Sequence, residues 1–353
     1  MAALSELFGS TRLVVPCSSE SSPAGEAALT GKNLAITPLT PLKGVKLSRK
    51  LHVPLWFLRN GGTLIKEAIR ADAIHAPIPG DVGTFGMLFA FILRKPLFVR
   101  HCGNWFVQTT AAEHFWKWFM VRFAGGRNVM IATGGDEHPP SAINQNVRWI
   151  FSTSLTAEQI ERYSLKRQYP TGRLKLVIAC RQVQEKGTGV LIESLPEILQ
   201  TYSDATLDVI GTGASLGDFK ALAERLGVQD RVKFWGKLEH GELMRVLRQS
   251  DLFCYPTRAS EGFPKVVLEA LACGLPVITT RVSVLPQLMS AGGGFVMNEL
   301  SPAAVAAAVS SVLRDPQQYL VMSEKATATA ARFSLEQWRT EIGGLLKAAW
   351  GTI

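Results

Sequence analysis

Short apolar stretches alternate with longer amphipathic segments along most of this 353-residue chain. In the first half, β-branched and aromatic runs bounded by turn-forming residues predict strands at 11–15, 33–39, 73–75, 96–100, 128–133 and 147–152. Apolar residues at helical spacing predict helices at 62–70, 84–93 and 113–124. Short apolar strands that alternate with helices are typical of a parallel, doubly wound sheet.

The same alternation resumes after residues 162–172, a polar and basic segment that contains a Pro-Thr-Gly turn. Strands are then predicted at 174–180, 206–210, 232–235, 251–255 and 276–280, and helices at 188–199, 219–226, 241–249, 264–273, 302–313, 317–331 and 335–350. A chain of this length can bury two cores. We therefore predict an α/β protein with one domain at 1–165, a second at 173–334 and a terminal helix at 335–353.

Composition and cysteine usage indicate an ordinary globular protein, with 47% hydrophobic and 19% charged residues. The best apolar run, at 85–93, ends at a pair of cations, so no membrane-crossing helix is predicted, and the first residues lack a signal-peptide pattern. The five cysteines show no Cys-x-x-Cys spacing, and four of them lie in apolar stretches, which favours reduced thiols in a core. We therefore predict a cytoplasmic location.

Positive charge is concentrated in the first 150 residues, where 16 Lys and Arg stand against 9 Asp and Glu, a balance of +7. The remaining residues carry 22 against 20, a balance of +2. A basic half indicates an anionic partner such as a membrane surface, a phosphorylated acceptor or a nucleic acid. No helix-turn-helix, zinc or aromatic-sheet signature accompanies the charge, so we do not predict binding to nucleic acid.

Two segments of this basic half mix cations with large apolar residues. Residues 41–60 combine several Lys and Arg with Leu, Trp and Phe, and residues 113–124 combine five aromatic rings with Lys117 and Arg122. Each segment fits a helix that lies on an anionic membrane, at its inner face if the protein is cytoplasmic. Residues 41–60 also fit an ordinary surface helix with one face in the core, and residues 113–124 also fit a helix that is buried on two sides. The pattern alone leaves these interpretations open.

The most informative stretch is RASEGFPKVVLEALACGLPVITT, residues 258–280, in which Glu261 and Glu269 stand eight residues apart. Pro264 suits the first turn of a helix and Gly274 the position after its end, so we predict a loop that carries Glu261 and then a short helix. Glu261 would precede a helix N-terminus, which favours anions. A surface helix with two solvated acids is the alternative, because ionised side chains are seldom fully buried.

This stretch closely resembles the donor-site signature of retaining glycosyltransferases of family four, written Glu-x7-Glu, with EGFPKVVLE filling it here. In that family the first Glu meets the sugar hydroxyls of a nucleotide-sugar and the second meets the ribose, so the resemblance implies these roles for Glu261 and Glu269. Carboxylates suit both roles because each accepts paired hydrogen bonds from vicinal hydroxyls. The resemblance also implies donor contacts from the residues that follow the first Glu: Gly262, Phe263, Pro264, Lys265 and Val266.

Two cations flank the start of a predicted helix in the second domain. Arg181 follows a predicted strand and Lys186 precedes the helix, an arrangement that suits a diphosphate, although two exposed cations in a loop are commoner. In glycosyltransferase family four an Arg and a Lys at matching places bind the donor diphosphate, and the resemblance implies this for both residues. Gly211 and Gly213 follow the next strand, where small residues let the backbone approach a ligand, so we count them with the donor-binding residues.

Two histidines, His75 and His101, are predicted at strand ends, where ligands bind in parallel sheets. A lone histidine at a strand end is usually a structural residue, so position alone does not separate the two. Members of family four commonly carry a His-Gly pair after this strand, and His101-Cys102-Gly103 matches it with one insertion. The resemblance implies that His101 lies near the reacting sugar carbon and takes part in catalysis.

The resemblance implies a GT-B fold, two doubly wound Rossmann-like domains that face each other across a cleft, with the terminal helix crossing back to the first domain. The implied activity transfers a sugar with retention of configuration from a nucleotide-diphosphate-sugar to a glycan or lipid-linked acceptor, in polysaccharide or glycolipid assembly. We expect no cofactor beyond this donor substrate and no metal, because the chain has no Asp-x-Asp motif.

Other functions fit parts of the pattern. A non-catalytic nucleotide-sugar-binding protein would need the donor residues alone, and an epimerase of the same architecture would need further acid and base groups around the sugar. A Rossmann dehydrogenase is disfavoured, because no Gly-x-Gly-x-x-Gly follows a strand with an acid about 20 residues later. The sequence does not identify the sugar, the base, the acceptor or the oligomeric state.

The resemblance is specific across 173–340, diffuse across 73–153 and absent at the start of the chain. Family members open with a strand, a Gly-rich turn and a helix, whereas the strand at 11–15 is followed by a polar loop and resembles the family's second strand. A doubly wound sheet places its first strand centrally, so its loss would leave unpaired edges. We expect that the reading frame starts too late or that the gene is degenerate; a divergent amino-terminus is the alternative.

Overall fold

A computed structural model of the chain describes residues 2–18, 29–42, 46–136, 138–260 and 262–351, without the side chains of 46–51. The chain divides into two compact units. The first unit comprises Met1–Thr133, His138–Ile150 and Arg339–Ile353, and the second comprises Gly134–Glu137 and Phe151–Trp338.

The elements of the first unit are, in chain order, α1 (Ala2–Ser5), β1 (Thr11–Pro16), β2 (Leu34–Leu39), α2 (Lys46–Arg70), β3 (Ile74–Ile78), α3 (Asp81–Ile92), β4 (Leu97–His101), α4 (Ala111–Phe123), β5 (Asn128–Thr133) and β6 (Val147–Ile150). Those of the second unit are α5 (Ala157–Tyr163), β7 (Lys175–Ala179), α6 (Thr188–Thr201), β8 (Thr206–Ile210), α7 (Leu216–Arg225), β9 (Val232–Gly236), α8 (His240–Gln249), β10 (Leu252–Tyr255), α9 (Lys265–Ala272), β11 (Val277–Thr280), α10 (Leu285–Met289), β12 (Gly294–Met297), α11 (Pro302–Leu313) and α12 (Pro316–Ala331). The last helix, α13 (Leu335–Trp350), begins in the second unit and ends in the first.

The first unit is built on a parallel sheet in the order β3-β4-β5-β6. Its strands and the helices α3 and α4 share a core, in which the following residues are at most 2% exposed: Ile78, Val99, Phe119, Met120 and Met130. Burial of these apolar side chains is the main stabilising contribution. The strands β1 and β2 pair with each other in parallel and form a separate two-stranded sheet.

Helix α2 begins well before the helix predicted at 62–70. The predicted helix began at Gly62, but buried residues occur at helical spacing on both sides of that position: Trp56, Asn60, Leu64 and Ala68. A Cβ at Gly61 would lie 3.1 Å from the Phe57 ring, so the glycine leaves room for that ring within the helix. The inner face is anchored, since Trp56 Nε1 donates a 2.6 Å hydrogen bond to the Thr40 carbonyl oxygen.

The predicted position of His75 at a strand end is wrong. Strand β3 runs from Ile74 to Ile78, so His75 is its second residue, far from the carboxyl end of the strand. The strand continues through Pro77, because β3 lies at the edge of its sheet, where a missing N–H is tolerated. His75 stacks on Phe98 with ring centroids 4.5 Å apart, and burial, assisted by the charge of Arg100, lowers its pKa to about 3.

The second unit is built on one parallel sheet of six strands in the order β12-β11-β10-β7-β8-β9. Side chains alternate between two cores, with Leu176 and Ile178 on one face of β7 and Val177 and Ala179 on the other. The strand order reverses between β7 and β10, which creates a switch point at their carboxyl ends. The predicted doubly wound sheet is therefore confirmed here, although α10 and β12, both short, were not predicted.

Two side chains tie the polar segment at 162–172 to the rest of the second unit: Arg167, and Tyr169, whose hydroxyl donates a 2.7 Å hydrogen bond to the Leu313 carbonyl oxygen. The Arg167 guanidinium donates hydrogen bonds to the carbonyl oxygens of Leu247, Arg248, Ser250 and Cys273. Three of these carbonyls lie at the end of α8 and the fourth directly follows α9. Arg167 thereby donates hydrogen bonds at two helix ends, where the last carbonyl oxygens of a helix lack most of their intrahelical partners.

Two further expectations concern the membrane and the cysteines. No helix in the part of the chain that the structure describes is both long enough and apolar enough to cross a membrane.

All five cysteines are free, but only Cys254 and Cys273 are buried, whereas Cys17 and Cys102 are exposed. The predicted set of four core thiols is therefore too large, because an apolar neighbourhood in sequence does not place a residue inside.

Candidate functional site

The loops that follow β7 and β10 meet at the switch point of the second unit. The backbone N–H of Arg258, after β10, donates a 2.8 Å hydrogen bond to the carbonyl oxygen of Glu185, after β7. The Thr257 hydroxyl donates to the same oxygen at 3.2 Å. These contacts join the loop of the predicted phosphate-binding cations to the loop that leads into the Glu-x7-Glu stretch.

The two predicted phosphate-binding cations have different surroundings. Lys186 is 2% exposed, and its Nζ donates a 3.4 Å hydrogen bond to the Tyr255 hydroxyl and lies 5.8 Å from the centroid of that ring. Arg181 is exposed. A buried ammonium interacts more strongly with an incoming anion than one surrounded by water, because less solvent screens it. Lys186 is therefore the stronger candidate for an anion contact.

A glycine fixes the start of the helix behind Lys186. Gly187 has a left-handed backbone with φ of 82°, and a Cβ there would overlap the carbonyl oxygen of Pro256. Only glycine satisfies both conditions without strain. The residue thus allows the amino end of α6 to pack directly against the end of β10, which brings Lys186 to Tyr255.

Gly211 and Gly213 also pack closely, and their contacts are with protein. A Cβ at Gly211, where φ is 113°, would overlap the Cys180 carbonyl oxygen, and a Cβ at Gly213 would overlap the Gln182 carbonyl oxygen. The two glycines therefore hold the loop after β8 against the loop that contains Arg181. This packing accounts for glycine at both positions, and a donor contact from them stays a prediction.

The Glu-x7-Glu stretch is described from Gly262 onward; Glu261 lies outside the described residues. Helix α9 starts at Lys265, with Pro264 at the N-cap and no described side chain capping it, so its first N–H groups point out of the helix end. Phe263 is directed elsewhere, since it packs on Phe333 with ring centroids 5.8 Å apart. Lys265 is exposed, whereas Pro264 is buried and Gly262 and Val266 are partly exposed.

The second carboxylate of the stretch is buried and has two polar neighbours. Glu269 is 6% exposed, and its Oε1 accepts a 2.7 Å hydrogen bond from the Ser154 hydroxyl. The Nε2 of His240, the first residue of α8, lies 3.4 Å from the same oxygen. The alternative of a solvated acid is therefore wrong for Glu269, and its burial fits an acid with a specific partner.

Sequence reasoning missed three polar residues at this end of the sheet. Ser154 and His240 lie far from Glu269 in the chain, and their types and spacing give no signal. Gln182 is fully buried, accepts a 2.8 Å hydrogen bond from Thr188 and donates to the carbonyl oxygens of Cys180 and Ile210. Gln182 thereby satisfies backbone groups of two adjacent strand ends, a role that only the folded sheet reveals.

The predicted catalytic histidine lies in the first unit, at the end of β4. His101 is 3% exposed, and its ring meets Trp105 edge-on with centroids 5.3 Å apart. Its Nδ1 is buried and has no hydrogen-bond partner among the described residues. Burial lowers the pKa of His101 to about 4; Glu113 opposes this change and Lys117 adds to it. The imidazole is therefore neutral at pH 7.

The arrangement in the second unit suits a ligand with both anionic and hydroxyl groups. Lys186, Arg181 and the open amino end of α9 offer charge and N–H donors to an anion. Glu269 offers carboxylate oxygens to hydroxyl groups. In the first unit, His101 offers a neutral imidazole at a strand end.

Comparison with known proteins identifies residues 159–329 as a match to the family model of group 1 glycosyl transferases. The D-inositol 3-phosphate glycosyltransferase of Segniliparus rotundus is 33% identical over 166 residues, 46% of this chain and 36% of that protein. The GDP-mannose-dependent alpha-(1-6)-phosphatidylinositol monomannoside mannosyltransferase of Mycolicibacterium smegmatis is 30% identical over 213 residues, 58% of this chain and 53% of that protein. The chain thus spans between about a third and a half of the length of these curated relatives.

Among solved structures, HepE of Anabaena in complex with UDP superposes with a TM-score of 0.70 at 18% identity, over 96% of this chain and 99% of that one. A likeness of this extent at such low identity concerns the fold. The predicted fold class is confirmed: the chain has the two-domain α/β fold with parallel sheets that is known as GT-B, and its second unit contains the region that matches the group 1 glycosyl transferases.

Proposed function

We propose that this chain is a retaining glycosyltransferase that moves a sugar from a nucleotide-diphosphate-sugar to a hydroxyl acceptor. The observation that carries the proposal is the meeting, at one switch point, of a buried lysine and the loop that leads into the Glu-x7-Glu stretch. The relatives support the class, because they are named as glycosyltransferases and mannosyltransferases, and HepE was solved with UDP.

The reaction breaks the bond between the sugar C1 and the diphosphate oxygen, and both electrons of that bond leave with the diphosphate. The acceptor oxygen forms the new bond to C1 on the same face, and its proton passes to the diphosphate oxygen that leaves from that face. Negative charge grows on the diphosphate as positive charge grows on the sugar. Groups that bind the diphosphate more tightly as its charge grows lower the barrier.

In this chain, Lys186, Arg181 and the amino end of α9 would stabilise the leaving diphosphate. We propose that these groups act without a metal ion. An assay with and without chelator tests this part, and a strict metal requirement would contradict it. The donor would thus be held by charge-assisted hydrogen bonds from side chains and backbone alone.

The two acids would hold the two sugars of the donor. Glu261 would bind hydroxyls of the transferred sugar, and Glu269, which is held in the core beside Ser154, would bind the ribose. His101 would contribute from the first unit as a neutral imidazole that donates or accepts a hydrogen bond, since its lowered pKa excludes a persistent positive charge at pH 7.

We further propose that the acceptor is a lipid-linked or membrane-assembled glycan and that the first unit contacts an anionic membrane. Helix α2 buries Trp56 but leaves Leu55 and Leu58 with 67% and 81% exposure, and Trp118 on α4 is 55% exposed. The first 150 residues carry a balance of +7. Exposed apolar side chains on a basic unit fit a peripheral membrane contact.

A transfer assay tests the proposed function. Purified protein is incubated with radiolabelled UDP-sugars and GDP-sugars, with and without membranes, and the labelled product is examined for the configuration of its new bond. We expect transfer to a membrane-derived acceptor with retention. Donor binding without transfer would favour the non-catalytic alternative, and an epimerised free nucleotide-sugar would favour the isomerase. Absence of nucleotide-sugar binding would contradict the proposal.

A further inference from the structure

We infer that Ser154 and His240 are positioning residues that hold the Glu269 carboxylate in the orientation in which it binds ribose hydroxyls. This inference rests on the proposed function, in which Glu269 meets the ribose of the donor. It starts from the buried carboxylate of α9, whose two oxygens have different surroundings. Oε1 has the Ser154 hydroxyl at 2.7 Å and the His240 Nε2 at 3.4 Å, whereas Oε2 accepts no hydrogen bond from the described residues.

The two neighbours come from separate segments of the second unit, Ser154 from the loop before α5 and His240 from α8. Ser154 precedes Leu155, which is 2% exposed and whose carbonyl oxygen accepts a 2.9 Å hydrogen bond from the Leu335 N–H. His240 opens α8, and its ring stands edge-on to Tyr163 of α5 with centroids 6.4 Å apart. Ser154 is therefore placed by a buried segment, whereas the His240 side chain, which is 43% exposed, is placed by its ring contact with Tyr163.

Fixing one oxygen has a consequence for ligand binding. A glutamate side chain that is free to rotate loses conformational entropy when it binds a ligand, and this loss weakens binding. Contacts at Oε1 restrict the rotation beforehand and leave Oε2 to accept a hydrogen bond from a ribose hydroxyl. A carboxylate has about four acceptor positions, so one hydrogen bond from Ser154 and the nearby His240 ring leave acceptor positions open. Ser154 and His240 should therefore strengthen only the part of the affinity that depends on ribose hydroxyls.

If Ser154 and His240 position the carboxylate, their loss changes only the part of the affinity that depends on ribose hydroxyls. If their role is merely structural, their loss changes the whole affinity. Binding of UDP and GDP is compared by calorimetry with binding of their 2′,3′-dideoxy counterparts, and the ratio of the two affinities is the measure. We expect wild type to prefer the ribonucleotide. Ser154→Ala and His240→Ala should each lower that preference by about threefold to tenfold while binding of the dideoxy nucleotide stays unchanged.

Conservative and control variants sharpen the test. Ser154→Thr keeps a hydroxyl and His240→Gln keeps a side-chain N–H donor, so both should retain most of the preference. Two exposed residues that lie outside the site serve as controls, since Ser290→Ala and His114→Gln should leave the preference at the wild-type value.

The outcomes distinguish this inference from the proposed function. A wild-type preference that survives in both alanine variants would overturn the positioning role and leave the ribose contact of Glu269 intact. Wild type that binds both nucleotide forms equally would overturn the ribose contact and the inference with it. Wild type that binds no nucleotide would overturn the proposed function itself. Equal losses for ribo- and dideoxynucleotides in the variants would show a structural role and also contradict the inference.

Discussion

Both units of this protein are built on parallel sheets that bury polar groups, but the units differ in whether those groups have hydrogen-bond partners. In the second unit, Gln182 and Arg167 satisfy backbone groups at strand and helix ends, and the carboxylate of Glu269 has polar neighbours. Among the described residues of the second unit, no buried side-chain atom lacks a hydrogen-bond partner. In the first unit, such atoms occur in both sheets: Thr11 Oγ1, His75 Nε2, His101 Nδ1 and Thr133 Oγ1.

This difference indicates how each unit contributes to function and stability. A buried polar atom without a partner costs about 1–3 kcal/mol relative to one that is paired. The described residues of the second unit avoid this cost, and the donor site that we propose lies at their switch point. The first unit bears the cost at several places, one of them the predicted catalytic histidine. We therefore expect nucleotide binding to depend on the second unit and sensitivity to conditions to arise in the first.

The largest effect on activity is expected from substitution of Glu261 and Glu269, the two acids of the Glu-x7-Glu stretch. Glu261→Gln should lower turnover by about 100-fold, because it weakens a contact with the sugar where charge develops. Glu269→Gln should instead weaken donor binding by about tenfold, because it weakens the ribose contact. Steady-state kinetics over a range of donor concentrations separate the two effects. If both variants change turnover and affinity alike, the acids have no separate roles.

The next largest effect, on the affinity for UDP or GDP, is expected from loss of the buried cation at the switch point. Lys186→Met keeps most of the side-chain volume but removes the charge, and should lower the affinity for UDP or GDP by about 10-fold to 100-fold. Arg181→Ala should have a smaller effect, because Arg181 is exposed and its charge is screened. Calorimetry measures both, with Lys220→Met on α7 as the control. Unchanged affinity in both site variants would remove the phosphate-binding role from this loop.

The sequence predicted the second unit better than the first for a physical reason. Its strands are short apolar runs between clear turns, so β8 and α11 were placed with the bounds they have in the structure. The proline in β3 and the paired glycines in α2 are breakers only when considered locally; edge position and packing override them. The neighbours of Glu269 come from distant parts of the chain, so nothing in the local pattern could have indicated them.

A pH experiment tests the expectation that the first unit loses stability in acid. The pKa values of His75 and His101 are lowered to about 3 and about 4, so the unfolded chain binds more protons than the folded one below about pH 6.5. The stabilising contribution is present above that pH and is lost as pH falls toward the folded values. Each histidine should cost about 2 kcal/mol of unfolding free energy between pH 7.5 and pH 5.

Hydrogen exchange measured by mass spectrometry localises this loss. Amides of β3 and β4 should lose protection at pH 5, after correction for the intrinsic exchange rate, whereas those of β7 and β8 should not. His75→Phe keeps a ring against Phe98 and should reduce the pH dependence, with exposed His114→Gln as the control. Equal losses of protection in both units would contradict the assignment of acid sensitivity to the first.

The smallest effect is expected for binding to a membrane, a contact that we propose for the first unit. Vesicles that contain anionic lipid should sediment with the protein at low salt and release it at about 0.5 M salt, because screening shortens the reach of surface charge. Leu58→Ser on the outer face of α2 should weaken this binding by about threefold to tenfold, since only part of one apolar side chain is withdrawn from the lipid. Leu226→Ser, which changes an exposed leucine of the second unit, is the matched control and should have no effect. Equal losses in the two variants would show that the contact is not specific to the first unit, and an absence of binding to anionic vesicles at low salt would exclude the membrane as a partner.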